Sequence, residues 1–188
     1  MKPLTQTVQE QLSDLIQPGD ICVDATAGNG HDTLFLAEQV GQEGQVFAFD
    51  IQNKAIEHTR ERLVQQQLLD RVKLINDSHE HMSASLPDNC SGQVSVIMFN
   101  LGYLPGSDKS CITRPDSTVT ALKQASTLIK PKGIISVMLY PNHEGGHDET
   151  RAVLNWSENL GGNFQQEMLK TPGPQWLKVQ KNVRIDTA

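Results

Sequence analysis

The chain has 188 residues, of which 37% are hydrophobic, and a formal net charge of −6. This length predicts a single globular domain over residues 1–188 with a well-formed core, and the negative charge argues against a protein that coats nucleic acid indiscriminately. Because no 18-residue apolar stretch and no signal-peptide pattern occurs, we expect no membrane partner and a cytoplasmic location.

Charge and cysteines are unevenly distributed along the chain. Residues 1–100 carry 6 Lys and Arg against 14 Asp and Glu, a net charge of −8, whereas residues 101–188 carry 10 against 8, a net charge of +2. The second half has room for a weak phosphate-facing patch, although solvated helix faces also explain these charges. Cys22, Cys90 and Cys111 lie far apart without zinc-ligand spacing, which predicts free thiols in a reducing compartment and no metal site.

The predicted secondary structure begins with a helix from Val8 to Ile16, which Pro18-Gly19 ends. Apolar runs then alternate with helical windows along the chain. Strands are predicted at 21–25, 45–50, 72–76, 94–99 and 134–140, and helices near 31–40, 53–68, 80–86, 116–129 and 147–160.

The C-terminal region is predicted to form an antiparallel hairpin, because Phe164–Lys170 and Leu177–Val183 flank the turn Thr171-Pro-Gly-Pro. Strands alternating with helices predict an α/β fold, with a mainly parallel seven-stranded sheet and helices on both faces. A parallel sheet that finishes in such a hairpin resembles the Rossmann-like class I methyltransferase architecture.

The loop after the first predicted strand, Asp24-Ala-Thr-Ala-Gly-Asn-Gly, is the most informative motif. It lacks the spacing of GxGxxG and the Gly-Lys-Ser/Thr of a P-loop, which argues against a dinucleotide or nucleoside triphosphate site. It resembles the loop by which class I methyltransferases hold S-adenosylmethionine, whose amino group and sulfonium suit a nearby carboxylate. A glycine-rich turn without a ligand is the alternative. The candidate cofactor contacts here are Asp24, Ala25, Gly28, Asn29, Gly30 and His31.

Two further loops follow predicted strands and carry polar side chains. Asp50 ends the second strand, where an acid can accept both ribose hydroxyls, and Gln52 stands at the rim; N-capping of the next helix is the alternative role for Asp50. After the third strand, Asp77, Ser78 and His79 are candidates for contacts with adenosine. His79 and His81 are two residues apart, a spacing that does not favour a metal pair.

The segment Asn100-Leu-Gly-Tyr-Leu-Pro follows the fourth strand and resembles the Asn-Pro-Pro-Tyr loop of methyltransferases that modify exocyclic amino groups. Methyl transfer to nitrogen requires the lone pair to point at the methyl carbon. The Asn100 side-chain oxygen and the Leu101 carbonyl can accept the amine hydrogens, and Tyr103 can stack on a planar base. Asn100 also adjoins the cofactor. A polar turn is the alternative interpretation.

The segment His143-Glu-Gly-Gly-His147 matches the zinc-protease pattern HExxH. That chemistry needs both histidines on one helical face, whereas Pro141 precedes the motif and each internal glycine costs a helix about 1 kcal/mol. We therefore reject the protease interpretation and predict a loop after the fifth strand. There His143 could face the substrate and take a proton.

Four motifs together resemble the small bacterial methyltransferase family once labelled rRNA methylase. They are Asp-Ala-Thr-Ala-Gly-Asn-Gly-His-Asp-Thr, Phe-Asp-Ile-Gln, Asn-Leu-Gly-Tyr-Leu-Pro-Gly-Ser-Asp-Lys and Tyr-Pro-Asn-His-Glu-Gly-Gly. Characterised members are tRNA 5-(aminomethyl)-2-thiouridine methyltransferases of the MnmM type. The resemblance implies S-adenosylmethionine as cofactor, N-methylation of the wobble-uridine aminomethyl group to give 5-methylaminomethyl-2-thiouridine, and a homodimer. The chain departs from the family at Ser107 and at Asn142, where a glycine is usual.

The resemblance also implies the tRNA anticodon arm as a partner. An anticodon-loop base is already splayed out, so recognition should depend on stacking and phosphate contacts. Candidate contacts are Gly102, Lys109, Arg114 and Lys123, with Lys178, Lys181 and Arg184 as weaker candidates. Two rival functions remain open, namely methylation of rRNA or a small-molecule amine, and a nucleotide-binding regulatory module with an inert acceptor loop.

Overall fold

In this computed structural model, the described residues are 2–102 and 113–183. Their strands are β1 (Ile21–Asp24), β2 (Gln45–Phe49), β3 (Val72–Ile75), β4 (Val94–Asn100), β5 (Ile129–Leu139), β6 (Phe164–Lys170) and β7 (Gln175–Lys181). Their helices are α1 (Leu4–Ser13), α2 (His31–Gln39), α3 (Asn53–Gln65), α4 (Met82–Ser85), α5 (Pro115–Leu128) and α6 (Gly146–Glu158). Within these ranges, none of the helices has the length and apolar character needed to cross a lipid bilayer.

The seven strands form one sheet in the order β3-β2-β1-β4-β5-β7-β6. Strands β1 to β5 pair in parallel, and β7 runs antiparallel to both β5 and β6. This confirms the predicted Rossmann-like class I architecture with its C-terminal hairpin. Because the strand order reverses between β1 and β4, a crevice opens at the carboxyl ends of these two strands.

Apolar clusters cover both faces of the sheet, which is why the central strands are almost continuously hydrophobic. Val23, Phe49 and Phe99 belong to one cluster, which also holds buried side chains of α4, α5 and α6. The other cluster joins alternate residues of the same strands to α1, α2 and α3. The sheet is therefore a rigid central layer, and the loops at its carboxyl edge are held by buried strands.

The first helix differs from its predicted bounds by several residues. The sequence predicts Val8 to Ile16, whereas α1 begins at Leu4, directly after Pro3, and ends at Ser13. Proline is compatible with a helix start because its φ is already near the helical value. At the other end, the backbone N–H groups of Leu15 and Ile16 both bond to the Leu12 carbonyl, so the chain leaves the helix through a tight turn.

Two other boundaries differ because of proline. The helix predicted at 80–86 is a 3₁₀ turn followed by α4, and it ends at Ser85 because the residue before Pro87 is extended. Strand β5 begins before its predicted start at 134, with Pro131-Lys-Gly133 bulging out of it: Val94 pairs with Ile129 and Val96 with Ile134. Proline has no N–H to donate to the ladder, which favours such a bulge.

Candidate functional site

A cavity of about 920 Å³ lies at the carboxyl edge of the sheet, at the crevice between β1 and β4. Most of its lining comes from the loops that follow β1, β2, β3, β4 and β5. The lining residues are Ala25, Thr26, Ala27, Asn29, His31, Asp32, Asp50, Ile51, Gln52, Asp77, Ser78, His79, Glu80, Asn100, Leu101, Gly102, Thr113, Arg114, Asp116, Ser117, Tyr140 and His143. A volume of this size is typical of a small-molecule site.

Asp24 supports the first loop from beneath and is not among the lining residues. Its side chain is 1% exposed, and its two oxygens accept the Thr26 backbone N–H at 3.0 Å and the Thr33 hydroxyl at 2.6 Å. Burial raises the pKa of Asp24 to about 7, and the neighbouring Asp32 charge contributes to the same rise. A cation in the cavity would favour the ionised form of this carboxyl.

Asp50 joins the first loop to the second. One of its oxygens accepts the Gly28 backbone N–H at 2.9 Å, and the other accepts the Gln52 backbone N–H at 2.9 Å. Each carboxylate oxygen has a second lone pair, so the group can still accept hydroxyl hydrogens from a ligand. Asp50 is not an N-cap, because Gln52 occupies that position before α3.

Gly30 closes the first loop against α3. Its φ is +77°, and a Cβ at this position would lie 2.9 Å from the Thr59 Cα, so both the backbone conformation and the space require glycine. Nearby, the Arg62 guanidinium donates to the Asn29 carbonyl at 2.8 Å. It also contacts the His31 ring nitrogen at 3.3 Å, so Asn29 and His31 are held at the wall of the cavity.

The loop after β3 separates the two histidines of the sequence pattern. His81 is exposed and bonds through Nδ1 to Asp77 at 2.9 Å, which lowers the pKa of Asp77 and raises that of His81. His79 is buried, and its Nδ1 lies 3.1 Å from the Ala25 carbonyl. Since a carbonyl only accepts, Nδ1 of His79 carries the proton and Nε2 is an acceptor. Burial lowers the pKa of His79, which favours this neutral form.

Asn100 lies at the centre of the crevice, held by three elements. Its backbone N–H donates to the Thr26 hydroxyl oxygen at 2.7 Å, and its side-chain nitrogen donates to Asp32 Oδ2 at 3.3 Å. The other Asp32 oxygen accepts the Gln9 side chain of α1 at 2.9 Å. The Asn100 side chain also bonds to the Tyr140 side chain, whose pKa is raised by burial. The amide is therefore oriented by its neighbours.

The loop after β5 places an aromatic pair beside Asn100. The rings of Tyr140 and His143 are stacked, with centroids 4.8 Å apart and an interplanar angle of 18°. His143 precedes α6 whereas His147 lies within it, so the two histidines of the HExxH pattern do not share a helix. Asn142 donates from its side chain to the Pro172 carbonyl at 3.0 Å, which ties this loop to the hairpin turn.

No metal site emerges from the described ranges, 2–102 and 113–183. Within them, no group of three or more His, Cys, Asp or Glu side chains is arranged to hold a metal ion.

Several residues named in the sequence analysis either fall outside the described part of the chain or lie away from the cavity. Tyr103, Lys109, Ser107 and Arg184 are outside the described residues. Lys123 is exposed on α5 and lines a separate groove between α5 and α6, away from the cavity, whereas Arg114 lines the cavity.

The two weaker basic candidates within the described ranges are engaged in the sheet. Lys178 pairs with Glu167 at 3.2 Å. Lys181 donates to the Ile129 carbonyl at 2.8 Å, and because Ile129 begins β5, this contact lies at the opposite edge of the sheet from the cavity.

Three residues of the site are not among the candidates that the sequence predicts. Asp32, Tyr140 and Thr113 line the cavity and contact Asn100 or Gly102. Asp32 lies in the first turn of α2, two residues after Gly30, and an acid at that position is its available signal. That signal is weak, because acids stabilise helix starts in general.

The chain matches known proteins over most of its length. A family model described as "Putative rRNA methylase" matches residues 46–172. A tRNA (mnm(5)s(2)U34)-methyltransferase, chloroplastic, of Arabidopsis thaliana is 42% identical over 167 residues. The match covers 85% of this chain and 60% of that protein. A ribosomal RNA small subunit methyltransferase H of Streptococcus equi is 32% identical over 87 residues, which are 28% of its length.

Solved structures resemble the whole chain. A Clostridium thermocellum structure described as a "putative rRNA-methylase" superposes with a TM-score of 0.90 at 37% identity, covering 96% of this chain and 98% of that one. A Streptococcus mutans structure, described as a "putative methyltransferase" in complex with SAH, has a TM-score of 0.85 at 32% identity, covering 96% and 99%.

Proposed function

This chain belongs to the rRNA methylase family, and from that premise we propose that it is an S-adenosylmethionine-dependent tRNA methyltransferase. The proposed acceptor is the aminomethyl nitrogen of 5-aminomethyl-2-thiouridine at the wobble position, and the product is 5-methylaminomethyl-2-thiouridine. The observation that carries this proposal is the Asn100 amide, held by Asp32 and Tyr140 in the same cavity that Asp50 lines.

The cavity fits S-adenosylmethionine by its donor set. Asp50 retains acceptor capacity on both oxygens for ribose hydroxyls, and the loop after β3 offers Asp77, Ser78 and His79 to the adenosine. Asp32 and the buried Asp24 make the part of the cavity beside the first loop negative, which suits the ammonium group and the sulfonium of the cofactor. When bound, the cofactor supplies a methyl group on a positively charged sulfur.

The residues around Asn100 suit an amine acceptor. An aminomethyl group is protonated in water and must lose a proton before its lone pair can attack. Asp32 carries a carboxylate beside Asn100, so it can hold the ammonium and take that proton. The Asn100 oxygen and the Leu101 carbonyl then accept the remaining hydrogens and aim the lone pair at the methyl carbon. The stacked Tyr140 and His143 rings provide a flat surface for the base.

The anticodon arm, the homodimer and the cytoplasmic location remain predictions within this proposal. Arg114 lines the cavity and is the described cation best placed to meet a phosphate beside the reacting base. The Arabidopsis relative carries tRNA (mnm(5)s(2)U34)-methyltransferase in its name, which supports tRNA as the acceptor over a small-molecule amine.

Mass spectrometry of wobble nucleosides tests the proposal. We expect tRNA from cells lacking this protein to accumulate 5-aminomethyl-2-thiouridine, and the purified protein with S-adenosylmethionine to convert it. The Asn100→Ala variant should bind S-adenosylhomocysteine normally and should convert none of the 5-aminomethyl-2-thiouridine. If tRNA from cells lacking the protein has the same wobble nucleosides as tRNA from the parent cells, and a methyl group is missing from their rRNA, the substrate is rRNA and not tRNA.

A further inference from the structure

A chain of hydrogen bonds connects a buried carboxylate on α6 to the peptide between Leu101 and Gly102. Glu149 is 4% exposed, and its two oxygens accept the hydroxyls of Thr113 and Thr118, each at 2.7 Å. The Thr113 hydroxyl oxygen in turn accepts the Gly102 backbone N–H at 3.0 Å. Gly102 and Thr113 both line the cavity, whereas Glu149 and Thr118 lie behind it.

The direction of each hydrogen bond follows from the chemistry of the groups. A hydroxyl has one hydrogen and two acceptor sites, and a carboxylate only accepts. The Thr113 hydrogen therefore points to Glu149, and its lone pairs are left for the Gly102 N–H. A second bond, from the Thr113 N–H to the Gly102 carbonyl at 3.3 Å, completes the pairing of these two residues.

Fixing the Gly102 N–H also fixes the Leu101 carbonyl, because the two groups belong to one peptide. That peptide is planar and trans, so its N–H and C=O point in opposite directions. Gly102 has a φ of +128°, which side-chain-bearing residues rarely adopt. A glycine in this region has wide conformational freedom, and the bond from Gly102 to Thr113 is what selects one direction.

We propose that Thr113 and Glu149 are positioning residues that aim the Leu101 carbonyl at the acceptor amine. The proposal rests on the function assigned above, in which that carbonyl accepts an amine hydrogen. Glu149 acts by orienting the Thr113 hydroxyl, and Thr113 acts by holding the Gly102 N–H. Neither side chain takes part in bond making.

Thr118 provides a matched control for the proposal. It donates to the same carboxylate over the same distance as Thr113, yet it is fully buried in α5 and passes no bond on to Gly102. Thr113→Val and Thr118→Val each remove one hydroxyl from Glu149. Only Thr113→Val leaves the Gly102 N–H without its acceptor, and Thr113→Ser restores it.

The test measures the Gly102 amide and the reaction separately. Hydrogen exchange of the Gly102 amide, followed by NMR in protein labelled with ¹⁵N-glycine, should accelerate in Thr113→Val and stay slow in Thr113→Ser and Thr118→Val. With tRNA carrying the aminomethyl group, we expect kcat of Thr113→Val to fall about 10- to 100-fold, because small misplacements of reacting groups have effects of this size. Its dissociation constant for S-adenosylhomocysteine should match the wild type.

Two outcomes would overturn the proposal. One is slow Gly102 exchange and normal kcat in Thr113→Val. The other is an equal loss of kcat in Thr118→Val, which would make Glu149 a general anchor of α5. A wild-type protein that methylates no tRNA would refute the proposed function instead, and Gly102 exchange in the same variants would still decide whether Thr113 holds this peptide.

Discussion

The Asn100 side-chain amide at the end of β4 donates to the Asp32 carboxylate at the start of α2, over 3.3 Å. The other oxygen of Asp32 accepts the Gln9 amide of α1 at 2.9 Å. One carboxylate thus joins α1, α2 and β4 beside the residue that is proposed to hold the acceptor amine. Removing this charge should separate cofactor binding from methyl transfer.

We expect Asp32→Asn to lower kcat by about 10²- to 10⁴-fold, the range for loss of a group that transfers a proton. Affinity for S-adenosylhomocysteine should fall by a much smaller factor than kcat, since Asp24 and the ribose and adenosine contacts are retained. The difference in kcat between Asp32→Asn and wild type should narrow as pH rises, because the substrate amine then loses its proton to solvent. Single-turnover methyl transfer across a pH series measures both effects.

Glu38→Gln is the control for Asp32→Asn. Glu38 is an exposed acid on the same helix, α2, so this variant makes the same change of charge away from the cavity. It should retain wild-type kcat at every pH. If Asp32→Asn shows a pH-independent loss, Asp32 orients Asn100 and takes no proton.

The close approach of Gly30 to α3 gives a second prediction. In Gly30→Ala, the new Cβ would meet the Thr59 Cα at 2.9 Å, in a residue whose φ is +77°. A left-handed alanine costs roughly 1–2 kcal/mol, and overpacking adds about 1–3 kcal/mol. Urea denaturation should therefore show a large loss of unfolding free energy, together with weaker S-adenosylhomocysteine binding.

Gly92→Ala isolates the backbone part of that loss. Gly92 has a φ of +68°, similar to that of Gly30, and a Cβ there would meet nothing within 4 Å. Gly92→Ala should therefore be less destabilising than Gly30→Ala by the overpacking cost, and its affinity for S-adenosylhomocysteine should be normal. Equal losses of unfolding free energy in the two variants would mean that α3 moves away from the new Cβ of residue 30 without a cost in free energy.

Local pattern is enough to predict the strands and the motif loops, since buried parallel strands such as Val94–Asn100 are almost continuously apolar. The loops that follow them meet at one edge for topological reasons, which is why the sequence predicts a shared site for Asp50 and Asn100. The Asp32–Asn100 contact depends on β1 and β4 being neighbours, which neither motif encodes. The burial of Glu149 likewise depends on how α6 packs against α5.

The buried Asp24 predicts a pH dependence of stability in the absence of ligand. Burial, followed by the charge of Asp32, raises its pKa from 3.8 to about 7 in the folded state. Between these values the folded protein holds a proton that the unfolded chain has released, so the free energy of unfolding falls as pH rises through this window. Asp24→Asn removes that dependence.

Urea denaturation of the two proteins over about pH 4 to 8 measures this effect. The stability of Asp24→Asn relative to wild type should increase with pH and level off above the folded-state pKa. Asp88→Asn, which changes an exposed acid outside the cavity, should show a flat difference. A relative stability of Asp24→Asn that stays flat above about pH 5 would mean that folding does not raise the pKa of Asp24 and that its hydrogen bonds stabilise the ionised form.

Two basic candidates at different positions along the α5 region allow a test of how tRNA approaches the cavity. Arg114 lines the cavity, whereas Lys123 lines the groove between α5 and α6. If tRNA enters over Arg114, Arg114→Glu should weaken binding and reduce the slope of log K against log salt by about 1 for each phosphate that the protein no longer neutralises. Lys123→Glu makes the same charge reversal within α5 and should leave the slope nearly unchanged.

The opposite result, with Lys123→Glu reducing the slope and Arg114→Glu not, would place the anticodon arm along the α5–α6 groove. Binding titrations at several salt concentrations distinguish the two approaches, because each variant changes a cation on only one of the two surfaces.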